Sequence, residues 1–399
     1  MPKLPASLLV LSALAAAARA DVLHVPKDFA TIQDAVDAAV ADDQIVIAAG
    51  SYDEVVVIAG KDHLELRGQG QVILVGGQAL MASLLVDSSS VIHLAHLRFE
   101  GVLGDAIALN DSTDVTVDHC RVEDSIGAGV RVTGCDVVEV DHVVVAGTQD
   151  FGLRAQDSGF VTLSRCTVSG IDQDSVSVQG CHDVVIDRVT VDGANENGID
   201  LLDVSSAVVR KCLVRAPTFS AISVTGHDAL IEKNRMLDVD VSAGGLFSTA
   251  AGCVVRGNKV VGAGFAYNVG GAQLQLLDNR SIQSGLLGLG IGGASPAVAS
   301  GNRVLKAAGT GIRVAGPDFS ALADNRVNGA VVGIQVSADD VQALGNKVSG
   351  AVNDGFEVHG VGCVFLGNKA HGSGLQDLFD DSSGGNTYVD NNFGTTHFE

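Results

Sequence analysis

Short stretches of alternating apolar and polar residues recur along the chain at a nearly constant interval. Val115-Thr116-Val117 and Val138-Glu139-Val140 lie 23 residues apart, and Val130-Arg131-Val132 lies between them. Alternation with a period of two puts the aliphatic side chains on one face of a strand and the polar ones on the other. No stretch within a repeat is long enough for a crossover helix. The pattern therefore predicts many short strands and excludes a Rossmann or TIM-barrel arrangement.

One position of this repeat can be followed through most of the chain. It first recurs every 23 residues, and is occupied by Leu97, Cys120, Val143, Cys166, Val189 and Cys212. Further along it becomes asparagine at intervals of 21 to 24 residues, at Asn234, Asn258, Asn279, Asn302, Asn325, Asn346 and Asn368. A repeat of this length that holds only short strands predicts a solenoid, with about 4.8 Å between neighbouring coils.

The predicted fold class is all-β: a single-domain right-handed parallel β-helix with an N-terminal capping helix. The asparagines are expected to stack in one buried column, where their amides hydrogen-bond along the axis and to turn backbone. The capping helix is predicted from the helix-start pattern of Thr31 and Asp34, and it covers an open end of the strands. We predict a signal peptide at 1–20, an N-terminal cap at 21–50, repeats at 51–371 and a C-terminal cap at 372–399.

The N-terminus has the features of a cleavable export signal. Lys3 precedes an apolar stretch from Leu8 to Ala18, and Ala18-Arg19-Ala20 is a small-x-small cleavage site. The apolar stretch is too short to span a bilayer, and no other segment looks transmembrane. We therefore predict cleavage after Ala20 and a secreted or periplasmic protein that does not span the membrane.

The chain is strongly acidic, with 47 Asp and Glu against 25 Lys and Arg and a formal net charge of −22. A net charge of this sign disfavours binding to nucleic acid or to an anionic membrane through the overall field. We therefore predict no nucleic-acid partner, and a monomer is favoured.

The seven cysteines are predicted to be buried rather than joined in a disulfide framework. Cys120, Cys166 and Cys212 share a column two coils apart, so their backbones are separated by about 9–10 Å, beyond disulfide reach. Cys135 and Cys181 stand in the same relation, and an odd number cannot pair completely. Small thiols that fill the interior are the favoured interpretation.

Two columns of basic residues are predicted beside the repeat position. The first holds His96, His119, His142, Arg165, Arg188 and Lys211, and the second holds Arg235, Lys259, Arg280, Arg303, Arg326, Lys347 and Lys369. One interpretation is a cationic strip for an anionic polymer, or a metal ion bound by the histidines. The favoured interpretation is a solvated edge whose charges are offset by neighbouring acids.

Two segments near the N-terminus resemble the beginning of β-helices of the pectin lyase-like superfamily. They are Phe29-Ala30-Thr31-Ile32-Gln33-Asp34-Ala35-Val36 and Ile45-Val46-Ile47-Ala48-Ala49-Gly50-Ser51-Tyr52. The later coils resemble generic parallel β-helix repeats, so the resemblance covers essentially the mature chain. It implies the fold and a polysaccharide or cell-envelope glycan as partner. It does not imply one activity, because the superfamily includes lyases, hydrolases, esterases, epimerases and non-enzymatic proteins.

Acidic and amide residues concentrate in the central coils. Aligned by 23 residues, the columns are Gln149, Asp172 and Asn195, then Asp150, Gln173 and Glu196, then Phe151, Asp174 and Asn197. Asp200 follows on an outward strand position. Crowded carboxylates can hold Ca²⁺ or share a proton as acid and base. We interpret Asp174, Glu196 and Asp200 as metal ligands, with calcium as the candidate cofactor.

Two finer resemblances touch the same coils. Gly147-Thr148-Gln149-Asp150, with Asp172 one coil later, resembles pectin methylesterases, which implies Gln149 in an oxyanion hole and the two aspartates as acid/base and nucleophile. The chain lacks the Arg-Pro-Trp segment of that family. Asn197-Gly198-Ile199-Asp200 and Arg215-Ala216-Pro217 resemble pectate lyases, which implies acidic calcium ligands and Arg215 as the base.

The predicted catalytic residues are accordingly Asp150, Asp172 and Arg215, and the predicted substrate-binding residues are Gln149, Arg131 and Arg154. The leading hypothesis is an exported protein that binds or processes an acidic, uronate-containing polysaccharide on the outer face of the central coils. If it is an enzyme, it is a polysaccharide lyase or carbohydrate esterase. The alternative, which the mostly short turns favour, is a non-catalytic cell-surface or periplasmic repeat protein for adhesion or display. A copper-site maturation accessory is disfavoured, because the chain has only three Met and no thiol clusters.

Overall fold

The chain winds into a solenoid of short parallel strands, in a computed structural model that describes residues 20–76, 81–293, 296–316, 318 and 320–398. Each regular coil contributes one strand to each of three sheets, which we name sheets I, II and III. Around Cys120, for example, Thr113–Asp118 lies in sheet I, Arg121–Glu123 in sheet II and Val130–Thr133 in sheet III. The predicted all-β parallel solenoid is confirmed. The predicted signal peptide, apart from Ala20, lies outside the described residues.

The described residues hold 47 strands. Sheet I comprises Val22–Val25, Gln44–Tyr52, Asp62–Leu74, Ser90–Ala95, Thr113–Asp118, Val137–Asp141, Phe160–Ser164, Val185–Asp187, Val208–Arg210, Leu230–Glu232, Val254–Arg256, Gln275–Leu277, Val298–Ser300, Ala321–Ala323, Gln342–Leu344, Val364–Leu366 and Thr387–Val389. Sheet II comprises Arg98–Glu100, Arg121–Glu123, Val144–Ala146, Thr167–Ile171, Thr190–Ala194, Leu213–Arg215, Arg235–Leu237, Lys259–Val261, Arg280–Ile282, Arg303–Leu305, Arg326–Asn328, Lys347–Ser349, Lys369–His371 and Asn392–Phe393. Sheet III comprises Val56–Ala59, Ala82–Asp87, Asp105–Asn110, Val130–Thr133, Leu153–Gln156, Val176–Gln179, Ile199–Ser205, Ser220–His227, Gly244–Ser248, Phe265–Val269, Leu287–Ile291, Thr310–Val314, Val332–Val336, Phe356–Val358, Leu378–Asp380 and Thr396–Phe398.

Equivalent strands of neighbouring coils pair in parallel register. Val115 of one coil lies opposite Val138 of the next, and Val130 lies opposite Leu153. Side chains therefore stack in columns along the axis, with the aliphatic ones inside. Sheets I and II join in the first coils, because the long strand Asp62–Leu74 pairs with the strands that begin at Ser90 and Arg98.

The α-helix at the N-terminal end runs Ile32–Ala38 and begins where the sequence predicts. The side chain of Thr31 accepts the backbone N–H of Asp34 at 3.0 Å, which satisfies one of the unpaired donors of the first turn. Ile32, Ala35 and Val36 are buried, so the apolar face of the helix closes this end of the core. No helix in the described ranges is both long and apolar enough to cross a bilayer.

The predicted asparagine column is confirmed as a buried hydrogen-bonded ladder. The backbone N–H and the side-chain Nδ2 of Asn279 both donate to Oδ1 of Asn302, at 2.9 and 3.1 Å. Nδ2 of Asn279 also donates to the carbonyl of Val255 at 2.8 Å. The same pattern repeats at the other members, which are Asn234, Asn258, Asn302, Asn325, Asn346 and Asn368. Each amide thus satisfies polar backbone that the turn leaves in the interior.

All seven cysteines are buried and free, as predicted. Burial raises the pKa of the thiols of Cys120, Cys166 and Cys212 to about 12. A thiol reacts as its thiolate, so these groups are inert fillers of the core in the folded protein.

The segment predicted as a C-terminal cap, 372–399, continues all three sheets. Its strands pair with the preceding coil, and Asn391 accepts the backbone N–H of Asn368 at 2.8 Å. Its aromatic rings also pack on the last core residues, with ring centroids of Phe393 and Phe356 5.4 Å apart. The segment is therefore a further coil that also covers the end of the core.

Candidate functional site

The predicted acidic residues lie where the chain turns from sheet II to sheet III. Asp150, Asp172, Asp174 and Glu196 occupy this turn in three successive coils, and Asp200 lies on the sheet III strand that follows. Asp200 stands opposite Ser177 and Ser223 of the neighbouring coils. The register inferred from the sequence therefore places these residues on one side of the central coils.

The most perturbed carboxyl group of this region is that of Asp174, which is 6% exposed. Burial raises its pKa to about 6, although a hydrogen bond from the backbone N–H of Asn197, at 2.8 Å, opposes the shift. The negative charges of Asp200 and Glu196 raise the pKa further. Burial also raises the pKa of Asp200, against a hydrogen bond with Ser223. The expected repulsion among the carboxylates is thus present at Asp174.

Two of the predicted site residues, Arg131 and Asp150, form an ion pair. Nη2 of Arg131 lies 2.7 Å from Oδ2 of Asp150, and Nε lies 2.7 Å from Oδ2 of Asp105. These three residues border a surface depression of about 450 Å³, with Leu103 and Ile126 among its apolar walls. Asp105 was not predicted as a site residue. The 23-residue register relates only equivalent positions of neighbouring coils, and Asp105 and Arg131 occupy different positions of the repeat.

The other predicted residues make local contacts. Oδ1 of Asp172 accepts a hydrogen bond from the side chain of Asn195 at 3.1 Å, and the side chain of Gln149 is exposed. The guanidinium of Arg154 lies 4.2 Å from the ring centroid of Phe151, a cation–π contact. Arg215 lies on sheet II in register with Asp192, and forms no ion pair with a carboxylate in the described part of the chain. The catalytic assignments to Asp150, Asp172 and Arg215 stay predictions.

Calcium binding by Asp174, Glu196 and Asp200 also stays a prediction. Within the described residues, the set of three His, Cys, Asp or Glu side chains with ligand atoms all within 4.8 Å of one another is Asp118, His119 and His142. The oxygens of the predicted calcium ligands are not gathered in this way, so an ion would have to draw them together.

A second surface lies on sheet II of the C-terminal half, where one outward position is basic in seven successive coils. The seven residues, which we call the cation ladder, are Arg235, Lys259, Arg280, Arg303, Arg326, Lys347 and Lys369. Each is the register partner of the next on adjacent parallel strands. The ladder therefore places one positive charge at every coil, about 4.8 Å apart at the backbone.

No member of the cation ladder forms an ion pair with a carboxylate of the described residues, and six of the seven are exposed. The same column in the N-terminal half behaves differently. There Nε of Arg98 lies 2.5 Å from Glu100, and Nη2 of Arg121 lies 2.6 Å from Glu123. The prediction that neighbouring acids offset the basic columns is therefore wrong for the ladder, although acids do offset the first column at Arg165 and Arg188.

An apolar stripe accompanies the cation ladder two positions further along each strand. It consists of Leu237, Val261, Ile282 and Leu305, and then becomes polar at Asn328, Ser349 and His371. Ladder residues from Arg280 to Lys347 and stripe residues from Leu305 to His371 line a depression of about 450 Å³. The surface thus offers unpaired cations beside apolar area on a rigid sheet.

Comparison with known families gives a match to the family described as right handed beta helix region, over residues 82–236 and 220–394. The chain belongs to the right handed beta helix family. No curated protein matches its sequence significantly.

Solved structures of other right handed beta helix proteins share the architecture at low sequence identity. The A-module of the mannuronan C-5 epimerase AlgE4 of Azotobacter vinelandii is 15% identical, with a TM-score of 0.53 over 77% of this chain and 93% of that one. DFA-IIIase of Arthrobacter chlorophenolicus A6, solved without its lid, is 12% identical, with a TM-score of 0.54 over 76% of this chain and 94% of that one. At this identity the likeness shows the fold alone.

Proposed function

We propose that this right handed beta helix protein is exported and binds an acidic, uronate-containing polysaccharide along the cation ladder. The observation that carries the proposal is the row of seven register-matched cations, which have no carboxylate partner among the residues that the structure describes, in a chain whose formal net charge is −22. Adjacent like charges on neighbouring strands cost stability. An anionic ligand that lies along the row removes this cost and gains an ionic contact at each coil.

The shape of the surface suits a linear polymer rather than a small anion. A polyuronate carries one carboxylate on each sugar, and the sugar spacing is comparable to the spacing of the coils. The stripe from Leu237 to Leu305 offers apolar contact to the C–H faces of the sugars. By its name, the structurally similar AlgE4 module acts on mannuronan, and this agrees with the proposed class of ligand.

The cation ladder supports non-covalent binding of a polymer. A role in adhesion or display is therefore one form of this proposal. Processing of the polymer would need the acidic residues of the central coils. Asp174 favours that second role, because its pKa of about 6 suits proton transfer near neutral pH, and burial also raises the pKa of the nearby Asp200. These carboxylates lie on another side of the coil, at the turn into sheet III and on the strand that follows, so binding and any chemistry are separable.

Affinity electrophoresis and calorimetry with polygalacturonate and alginate test the proposal, with neutral dextran as the comparison polymer. The triple variant Arg280→Gln, Arg303→Gln and Arg326→Gln should weaken binding by about threefold to about 150-fold, since exposed ion pairs contribute about 0.2–1 kcal/mol each. Binding by the wild type should weaken as salt rises.

The matched control changes arginines outside the ladder. Arg98→Gln with Arg121→Gln alters the same column in the N-terminal half, where both residues are already paired, and Arg313→Gln alters sheet III in the C-terminal half. These variants should bind as the wild type does. Equal binding of dextran and polyuronate, or an unchanged affinity of the triple variant, would refute the proposal.

A further inference from the structure

The first basic column contains two histidines that are held in the same way on adjacent coils. His119 and His142 each occupy the turn between sheets I and II in a left-handed conformation, with φ of 49° and 50°. Both side chains are partly exposed, and their rings stack with centroids 4.5 Å apart and an interplanar angle of 18°. The ring of His96 continues the column, 5.2 Å from that of His119.

A carboxylate orients each ring. Nδ1 of His119 lies 2.6 Å from Oδ1 of Asp118, and Nδ1 of His142 lies 2.8 Å from Oδ2 of Asp141. When Nδ1–H donates to a carboxylate, the proton is fixed there and Nε2 keeps its lone pair for a metal. Metal-binding histidines are commonly oriented by a carboxylate in this way.

The charge around the two rings also favours a cation. The next residue of the column, Arg165, is basic, but it is engaged with Asp141 through contacts of 2.8 and 2.5 Å. Asp141 also accepts the hydroxyl of Ser164, so both of its oxygens are engaged. The side chain of Asp118, in contrast, hydrogen-bonds only with His119 among the described residues, so it can turn away from Nδ1 of His119 and bind an ion instead.

We infer that His119, His142 and Asp118 form a binding site for a divalent transition-metal ion such as Zn²⁺ or Cu²⁺. One ligand atom from each of the three lies within 4.8 Å of the others. Tetrahedral bonds of about 2.0–2.1 Å bring ligand atoms closer than this, so small rotations of the exposed side chains complete the site. Two imidazoles and one carboxylate suit Zn²⁺ or Cu²⁺ better than Ca²⁺, which prefers oxygen ligands.

Three protein ligands leave at least one coordination position open to water or to another ligand. The site lies four coil steps from the first member of the cation ladder, or about 19 Å along the axis. It is therefore independent of the proposed polysaccharide surface, and either proposal can fail without the other.

Calorimetry with Zn²⁺ on the mature chain tests the inference, together with electron paramagnetic resonance of the Cu²⁺-loaded protein. We expect one site per chain and a Cu²⁺ spectrum with hyperfine coupling to two nitrogens. His119→Asn and His142→Asn should each raise the Zn²⁺ dissociation constant at least tenfold. Asparagine tolerates the left-handed conformation, and circular dichroism should confirm that both variants keep the fold.

His227→Asn is the matched control. His227 also contacts an aspartate through Nδ1, at 3.0 Å from Asp228, but it belongs to no cluster of three ligands in the described residues. This variant should bind Zn²⁺ as the wild type does. The inference is overturned if His119→Asn and His142→Asn together leave the affinity and stoichiometry unchanged, or if the Cu²⁺ spectrum shows oxygen ligands only.

Discussion

Arg303 and Arg326 are register partners on adjacent strands of sheet II, and neither pairs with a carboxylate in the described chain. Like charges in this position repel, so the folded protein keeps a small electrostatic strain at the cation ladder. Arg98 and Arg121 show that the same column can pair its arginines with glutamates when the coil provides them. The unpaired arginines are therefore a property of the C-terminal coils and not of the repeat itself.

Replacing one member of the ladder should stabilise the free protein. We expect Arg326→Gln to raise the free energy of unfolding by about 0.2–1 kcal/mol at low ionic strength, because it relieves repulsion from Arg303 and Lys347. The gain should disappear in about 1 M salt, where screening removes the repulsion. Denaturant melts at both salt concentrations measure it. Arg121→Gln should instead destabilise or have no effect, and a loss of stability in Arg326→Gln would contradict the prediction.

Substitution of an asparagine in the ladder should destabilise the protein more than other substitutions in the turn between sheets I and II. Asn302→Ala removes the acceptor of the Asn279 backbone N–H and the donor to the Leu276 carbonyl, and leaves both buried. Each unsatisfied group costs about 1–3 kcal/mol, so we expect a loss of about 2–6 kcal/mol in denaturant unfolding. The exposed Asn328 of the next coil, changed to Ala, should cost less than about 0.5 kcal/mol.

The repeat made most of the fold predictable from the sequence. A 23-residue register is enough to place Cys120 beside Val143, or Asn302 beside Asn325, because every coil repeats the same strands and turns. It also placed Asp174 near Glu196 and Asp200. The register could not predict contacts between different columns, because such contacts depend on the directions of the side chains. For this reason the pairing of Arg131 with Asp105 was missed.

The ion pairs of the surface could not be predicted in the same way. The basic columns were visible, but whether acids compensate them depends on which side chains reach across a turn. Asp141 reaches Arg165, whereas no carboxylate in the described ranges reaches Arg303. The repeated Asp-His dipeptide at residues 118–119 and 141–142 was a signal for the histidine site. The column of histidines suggests a metal ion from the sequence alone, but the contacts of their rings with the aspartates are visible only in the structure.

The cysteines should be unreactive in the folded protein. Cys120, Cys166 and Cys212 are buried, and burial raises the pKa of their thiols to about 12, so little thiolate forms at pH 8. Mass mapping under non-reducing conditions should find no disulfide among these three. Alkylation should proceed only after denaturation. A disulfide between any two of them would contradict the coil register.

Calcium should raise the melting temperature if Asp174, Glu196 and Asp200 bind it as predicted. An ion that binds only the folded state stabilises by mass action, about 2.7 kcal/mol at a hundred times its dissociation constant. Melting curves with millimolar Ca²⁺ or with chelator measure the effect in the wild type and in Asp200→Asn. Calcium should stabilise the wild type only. An identical small shift of the melting temperature in both proteins would indicate general screening. It would show that calcium does not bind at this site.

The raised pKa of Asp174 gives the stability of the protein a specific dependence on pH. The pKa is about 6 in the folded state and close to the ordinary value of 3.8 in the unfolded chain. Between these values the folded state binds more protons, so this group makes the protein more stable as pH falls from about 6 to about 4. Above pH 6 the ionised carboxylate destabilises the fold, because it is buried near Asp200 and Glu196.

Asp174→Asn should remove this dependence and keep an acceptor for the Asn197 N–H. We expect the variant to be more stable than the wild type by about 3 kcal/mol at pH 7.5, and by only about 1 kcal/mol at pH 4.5. Asp172→Asn, at an exposed position two residues away, is the control and should change stability little at either pH. Denaturant unfolding across this range measures the difference between variant and wild type, in which the other titrating groups cancel. A difference that stays constant from pH 4.5 to 7.5 would show that Asp174 is not the group responsible.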